Sequence, residues 1–598
     1  MDNLNYGIIG NCLTAALISK NGSIDWCCLP KFDSPSIFAK LLDEEKGGSF
    51  GFEVDDSYKI SQKYLPKTNI LVTHFESFDA AFEVRDFMPR YYDDNGKLNT
   101  PLVIIRYLVP LKGIPKFKVK YNPKIGYAKE ETISRIKDGY IKSHTLEGMY
   151  DSVYMYSNFD YDSILNEEEI TLTEDSYLLM SYYEKILDQS IERAFLQYQR
   201  TYAYWLNWSE KTTNYKLYNK EIRRSALVLK LLTYEKSGAV LAAATTSLPE
   251  TIGEVRNWDY RFCWIRDASM ALKVLFELGH VDSAQRFMNF ITSTVANKGD
   301  KMQIMYGINS ETILTENTLE HLSGYENSTP VRVGNAAYIQ KQNDIFGILI
   351  EIIYKQFLYF KNSLEHSEEL WMIVSQSVHV VEENWMKPDK GIWEHRAEDR
   401  HFTFSKLLCW VAVDRAIKIA ELIHKTSMME QWTELRDNIY NDIYENAWNP
   451  DVEAYTQSYG SPDLDASILL MEEYDFIKAS DPRYISTVQA IEKELLRDGL
   501  MYRYKNRDDF GLPSSSFTIC SFWFINSLYK IGEKKKAIQY FDQILSYSNH
   551  LGLFSEDIDF ETKRLLGNFP QAYSHLALIQ TAINISGGIS EQEELKNL

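Results

Sequence analysis

No stretch of 18 consecutive apolar residues occurs in this chain, so no segment reads as a membrane-spanning helix. Its first residues, MDNLNYGIIGNCLTAALISK, have no basic start followed by a continuous apolar run. A secretory leader is therefore not expected, and a cytoplasmic location is. Runs rich in Lys and Arg are also missing, and the net charge is −20 over 598 residues. That charge repels nucleic acid and anionic membrane, so neither is expected as a partner. Cysteine is scarce: Cys12, Cys27, Cys28, Cys263, Cys409 and Cys520 are the full set, and none forms a C-x-x-C pair. Most sit among apolar neighbours, which favours small buried hydrophobes over disulfides or metal ligands. The adjacent pair Cys27–Cys28 has no evident use. Neither a G-x-S-x-G elbow nor a Gly-rich phosphate loop is found, and no cofactor or metal is implied.

What remains is an ordinary globular composition, 45% hydrophobic and 25% charged, with an aromatic share of 14% that includes 40 tyrosines. Aromatic side chains in that number can line a sugar-binding cleft or simply fill a large core. The length exceeds what one core usually supports, so two or more domains are expected. The sequence leaves a homo-oligomer open.

Residues 1–186 read as strands. NILVTHFES, AAFEVRDFMPR, PLVIIRYLVPL and EITLTEDSYLLMSYY are β-rich, and SKNGSIDW carries an Asn-Gly turn signal. An antiparallel β-sandwich is the expected fold of this part. Residues 187–220, containing SIERAFLQYQRTYAYWLNWSEKT, read as a helical linker. From 221 to 598 the apolar spacing predicts twelve helices: 221–235, 264–279, 281–297, 335–360, 370–385, 404–423, 431–447, 465–477, 484–496, 517–532, 534–547 and 569–586. The connections after the odd-numbered helices are long and those after the even-numbered ones short. Short connections make antiparallel neighbours, so every long one emerges on the same side. Six hairpins closing into a ring, an (α/α)6 barrel, satisfy this pattern. The multidomain α and β architecture expected is thus a sandwich followed by a six-hairpin toroid.

The long connections carry the chemistry. GIWEHR, with Glu394, lies in the fifth; GLFSEDID, with Glu556, in the eleventh; RNWDYRFCWIRDAS in the first; HLSGYENSTPVRVGN in the third; RDDFGLPSSSF in the ninth. A funnel of Trp, Tyr, Arg and carboxylates suits a sugar: aromatic faces stack on pyranose C–H faces, and charged forks take hydroxyls bidentately. Inverting cleavage of a glycosidic bond needs two carboxyl groups roughly 6.5–9.5 Å apart, one protonated as acid and one ionised as base. Loops five and eleven lie opposite each other in a six-hairpin ring. Apolar Ile392 and Trp393 favour a neutral Glu394, the acid. Ser555 and Asp557 make a more polar setting that suits an ionised Glu556, the base. His395 and His401 match no ligand spacing, and His575 is expected to be a packing histidine on the last helix.

NWDYRFCWIRDAS, STPVRVGNAAY, GIWEHR…HFTFSKLLCWVAVDRAI and LFSEDID…LGNFPQAYSHLALI resemble the signature blocks of glycoside hydrolase family 15. That family holds glucoamylases and a prokaryotic branch of trehalases and other α-glucosidases. IGNCLTAALISKNGSIDWCCLPKFDSPSIF resembles the opening block of the prokaryotic members, and RRSALVLKLLTYEKSGAVLAAATTSLPE the start of the family's barrel. The resemblance implies a β-sandwich, a helical linker and an (α/α)6 barrel, with inversion at the anomeric carbon. It makes Glu394 the general acid and Glu556 the general base. It implies that Arg266 and Asp267 bind hydroxyls of the non-reducing glucose, that Tyr260 stands near the reacting centre, that Trp264 and Trp393 border the site, and that Arg332 belongs to another sugar-contacting loop. The expected activity is exo-acting release of β-glucose from an oligosaccharide or disaccharide. The reading leans to a glucoamylase type, with α,α-trehalose hydrolysis as its alternative. A disaccharide phosphorylase is a remoter one, as is a non-catalytic binding domain.

Overall fold

The computed structural model describes residues 3–148, 151–296, 301–395 and 398–589. Two antiparallel sheets form the amino-terminal part. The first runs in the order Tyr6–Gly10, Ala15–Ser19, Ile24–Cys28, Ser49–Glu53, Lys116–Asn122 and Ile170–Thr171, with Ser36–Phe38 added to Ile24–Cys28. The second has eight strands, in the order Thr132–Lys137, Tyr140–Thr145, Ser152–Ser157, Ser176–Tyr182, Val103–Lys112, Ala81–Phe87, Leu71–Glu76 and Lys59–Tyr64. The Asn-Gly signal sits in the hairpin between Ala15–Ser19 and Ile24–Cys28, with Gly22 at φ +79°.

Strand alternation, shifted by a bulge at Asp25, explains how the sheets are used. Ala16, Ile18, Ile24 and Cys27 point into the core between the sheets with Phe75, Phe82 and Val84, whereas Leu17, Trp26 and Cys28 face the helical part. The adjacent cysteines are thereby accounted for. They occupy opposite faces of one strand, both buried and both free thiols. Trp26 donates its indole N–H to the carbonyl of Ala244 at 2.9 Å, so the sheet braces the first long connection of the helical part.

A short helix α1 (Tyr161–Leu165) decorates the sheets, and α2 (Ile191–Glu210) leads across to the helical part. There α3 (Asn219–Leu231), α4 (Ile265–Glu277), α5 (Val281–Val295), α6 (Asp344–Tyr359), α7 (Leu364–Asn384), α8 (Thr403–Leu422), α9 (Met429–Asn446), α10 (Pro482–Leu495), α11 (Thr518–Lys530), α12 (Lys534–Leu545) and α13 (Ala572–Ser586) follow. An inner ring runs α4, α6, α8, the 3-10 turn Ala466–Met471, α11 and α13, and α13 closes back onto α4. The remaining helices, α3, α5, α7, α9, α10 and α12, pack outside it. Composition sorts the two layers. The inner α8, α11 and α13 are buried on nearly every side. The outer α12 buries Ala537, Phe541 and Ile544, a single stripe at helical spacing.

Two predicted helices differ. The expected 465–477 helix is the 3-10 turn Ala466–Met471. Asp465 caps it by accepting from the Ser467 backbone N–H at 2.7 Å, and Asp475 turns the chain away at φ +64°. The expected 335–360 helix splits into a 3-10 turn, Ala336–Ile339, and α6. Residue 297, the predicted end of the third helix, lies outside the described residues. Among the described residues no helix is long and apolar enough to cross a membrane.

Candidate active site

A cavity opens at the rim where the long connections emerge, with about 680 Å³ of open space, its mouth included. The first connection contributes Glu250, Arg256, Trp258 and Tyr260 to its wall, and the start of α4 adds Arg266. Asn335 and Ala337 come from the third, Ile392, Trp393 and Glu394 from the fifth. The ninth supplies Arg503, Tyr504, Asp508 and Phe510, and Phe517 borders them.

Glu394 is held by an unusual backbone. Gly391 has φ +67°, and a Cβ there would come within 2.7 Å of the Phe402 ring, so glycine is required three residues before the acid. The turn closes with the Glu394 N–H donating to the Gly391 carbonyl at 3.1 Å. Glu394 itself adopts φ +58°, a left-handed conformation uncommon outside glycine and concentrated at functional sites. The indole Nε1 of Trp264 donates to Glu394 Oε1 at 2.8 Å, and Arg266 Nη1 lies 3.4 Å from the same oxygen. The same Nη1 also donates to the Ile392 carbonyl at 3.0 Å, and Gln340 Nε2 donates to the Glu394 carbonyl at 3.1 Å. Burial raises the Glu394 carboxyl above the usual carboxylate range, with Arg266 and the Trp264 N–H opposing it.

Trp264 is the extended residue before α4, paired through Cys263–Trp264 to Met305–Tyr306. Asp267 falls in the first turn of α4, where the helix dipole favours a carboxylate, and accepts from Arg266 Nε at 3.1 Å. Trp393 donates its indole N–H to Asp465 at 2.7 Å and packs edge-on to Phe517.

Glu556 lies behind Tyr260 and does not itself line the cavity. The Tyr260 hydroxyl donates to Glu556 Oε1 at 2.5 Å. The Tyr260 and Trp264 rings meet edge to face at 5.2 Å between centroids. One continuous path therefore runs from Glu394 through Trp264 and Tyr260 to Glu556. The backbone of Glu556 is tied on both sides, donating to the Asn568 carbonyl at 3.1 Å and accepting from the Thr518 N–H at 2.9 Å. Gly567 passes so close that a Cβ would sit 2.7 Å from the Glu556 Cβ.

The polar setting expected for Glu556 is not what the structure holds. The residue is fully buried, and burial followed by the nearby charge of Glu250 raises its carboxyl to about 8. Flanking residues in sequence do not report this, because Ser555 turns its side chain away and Asp557 is itself buried beside Glu556. Ser555 Oγ donates to the Asp557 carbonyl, and Asp557 Oδ1 accepts from Ser515.

Arg332 also differs from expectation. It does not line the cavity. Its guanidinium stacks 4.6 Å from the Trp258 ring and donates to the carbonyls of Val255 and Asn257, so it braces the segment that carries Trp258. Asp267 and Trp264 likewise act from behind, whereas Tyr260, Arg266 and Trp393 face the space. His575 is a packing histidine that accepts from the Phe554 N–H at 3.2 Å on Nε2, which leaves Nδ1 to donate to Ser225 at 2.9 Å. It braces the segment leading to Glu556. His395 stacks on Phe402.

Sequence reasoning gave no role to five residues that the cavity brings together. Arg503 pairs with Glu250, and Arg256 with Asp508, which also accepts from the Tyr504 hydroxyl at 2.6 Å. Arg503–Tyr504 and Asp508 stand in the ninth connection, so their position on the long-loop rim was the available signal.

The arrangement holds two carboxyl groups, both shifted toward the neutral form, beside a polar and aromatic cavity. A family model described as glycosyl hydrolases family 15 matches residues 216–583, and one described as trehalase-like, N-terminal, matches residues 5–149. A protein named trehalase from Mycolicibacterium smegmatis is 36% identical, covering 97% of this chain and 90% of its own length. One of the same name from Thermoplasma acidophilum is 35% identical, with 95% and 97% covered. "Trehalase 1" of Sulfolobus acidocaldarius is 35% identical, with 97% and 98% covered. A bacterial glucoamylase solved with acarbose shares the fold over 98% of this chain and 94% of its own, with a TM-score of 0.71 at 13% identity.

Proposed function

The chain belongs to glycosyl hydrolases family 15, and we propose that it is an inverting α,α-trehalase. Glycoside hydrolysis follows from the family. The choice of trehalose rests on one observation: relatives that match this chain over nearly its whole length, at about one-third identity, carry the name trehalase. The preference for maltooligosaccharides drawn from the sequence has no such support, since the glucoamylase likeness, at 13% identity, concerns fold alone.

In this reading Glu394 gives its proton to the oxygen joining the two glucoses as that bond breaks. Glu556, ionised, takes a proton from the water that attacks the anomeric carbon on the opposite face. The attacked glucose leaves as the β-anomer, and the leaving glucose keeps its α configuration. Solvent then reprotonates Glu394 and takes the proton from Glu556. The raised Glu394 carboxyl suits a donor. The Tyr260 hydroxyl and the charge of Arg503 favour the ionised form that Glu556 needs against burial and Glu250. Arg266 and Trp393 bind the glucose that is attacked. Asp267 orients Arg266 from behind, Trp264 holds Glu394, and Arg332 stiffens the Trp258 wall.

The test is glucose release from trehalose, maltose, isomaltose and maltotetraose, with and without phosphate. We expect kcat/KM for trehalose to exceed the others by about 100-fold, without need of phosphate as co-substrate. A preference for maltotetraose, or formation of glucose 1-phosphate, overturns the reading.

A further inference from the structure

A second, roomier cavity lies on the flank of the barrel, with about 1,410 Å³ of open space, its mouth included. Three parts of the chain supply most of its wall, and Leu578 of α13 adds to it. The hairpin edge at residues 62–68 comes from the eight-stranded sheet, residues 220–227 from α3, and residues 545–554 from the end of α12 and the connection that carries Glu556.

Its charge is opposite to that of the protein. Lys63, Lys67, Lys220, Arg223 and Arg224 reach it, against the single carboxylate of Glu221, in a chain of net charge −20. Lys67 is paired with Glu210. Lys63, Lys220 and Arg224 have no carboxylate at ion-pair distance among the described residues. Arg224 is the telling one. Its guanidinium lies 3.9 Å from the Tyr64 ring centroid, donates to the Thr68 carbonyl and the Asn69 side chain, and keeps a buried Nε with no acceptor. Arg224 as a whole is half-buried, and among the described residues it has no carboxylate partner to offset its charge. The rest of the wall is apolar, with Leu65, Leu227, Leu551 and Phe554 among it.

We propose that this cavity binds an organic phosphate ester with an aromatic body, of nucleoside-monophosphate size, and that its occupant acts on the hydrolytic site. The phosphate meets Lys63, Lys220 and Arg224, and the body covers the apolar wall. The occupant touches Leu551, Gly552 and Phe554, and Glu556 follows two residues later. Asn549 already ties this segment to the amino-terminal sheet, donating to the Tyr6 carbonyl at 2.8 Å. Filling the cavity therefore joins sheet, α3 and the Glu556 segment into one packed unit and changes the turnover of the sugar substrate.

The experiment uses the full chain with AMP, adenosine and inorganic phosphate as separate probes. Binding is read by calorimetry, which does not depend on the sugar specificity proposed above. Turnover is then read on whichever sugar the enzyme hydrolyses. AMP is expected to bind at least about tenfold more tightly than adenosine or phosphate, to raise Tm, and to change kcat/KM. The double variant Lys63→Glu/Lys220→Glu, at exposed positions remote from the hydrolytic cavity, is expected to keep basal turnover while AMP binding weakens about tenfold or more. No AMP binding at millimolar concentration, or binding indifferent to the double variant, overturns the site. Phosphate binding as tightly as AMP overturns the aromatic body, and binding without a change in turnover overturns the coupling.

Discussion

The hydroxyl of Tyr260 lies 2.5 Å from Oε1 of Glu556 and donates to it, across 296 positions of sequence. Because a donor at that distance favours the ionised carboxylate, it counteracts the burial that raises Glu556. Tyr260→Phe should therefore lower kcat by about 10–100-fold and shift the acidic limb of the kcat/KM profile to higher pH. A Phe variant with an unmoved acidic limb would show that the hydroxyl does not act through Glu556.

Trp264 holds the partner carboxyl in the same way, through its indole N–H at 2.8 Å from Glu394. Trp264→Phe removes a donor that stabilises the ionised form. Glu394 should then keep its proton to higher pH, moving the alkaline limb upward while kcat falls by about tenfold. Steady-state rates between pH 5 and 10 would read both effects, and a downward shift would contradict the assignment.

Glu394→Gln and Glu556→Gln should each reduce turnover by about 10³-fold or more while circular dichroism and elution volume stay unchanged. Near-normal turnover in either variant removes that residue from the mechanism.

The burial of Glu556 also has a stability consequence. Its folded-state pKa, about 8, lies above the ordinary value of 4.5, so the folded chain holds this proton more tightly than the unfolded one. The contribution is fully present below about pH 4.5 and is lost as pH rises toward 8. Glu556→Gln escapes that loss. Its melting temperature should exceed the native one by about 1–3 °C at pH 8, with the gap shrinking at pH 5. A gap that widens on acidification would mean that Glu556 is ionised throughout.

The sequence made the six-hairpin ring legible because loop length alternates along the chain, and helix-on-helix layering follows from that alone. It made Glu394 legible because the apolar Ile392–Trp393 setting and the glycine ahead of it survive as local features. The environment of Glu556 was misread, since the group that most opposes its charge after burial is Glu250, from the first connection. Arg332 was expected in a sugar-contacting loop, and its side chain finds a long-range partner of its own. Its guanidinium packs on the Trp258 ring and is not among the side chains lining the cavity. The 3-10 turn at Ala466–Met471 was hidden by its apolar composition, which fits a buried helix equally well. What periodicity cannot show is which long-range partner a side chain finds.

The most direct measurement is proton NMR of glucose in the first moments of trehalose cleavage, before mutarotation. Opposed action by Glu394 and Glu556 predicts α- and β-glucose appearing in equal amounts, one from each half of the substrate. Release of α-glucose alone would mean retention at the attacked carbon and would contradict an acid and a base working from opposite faces.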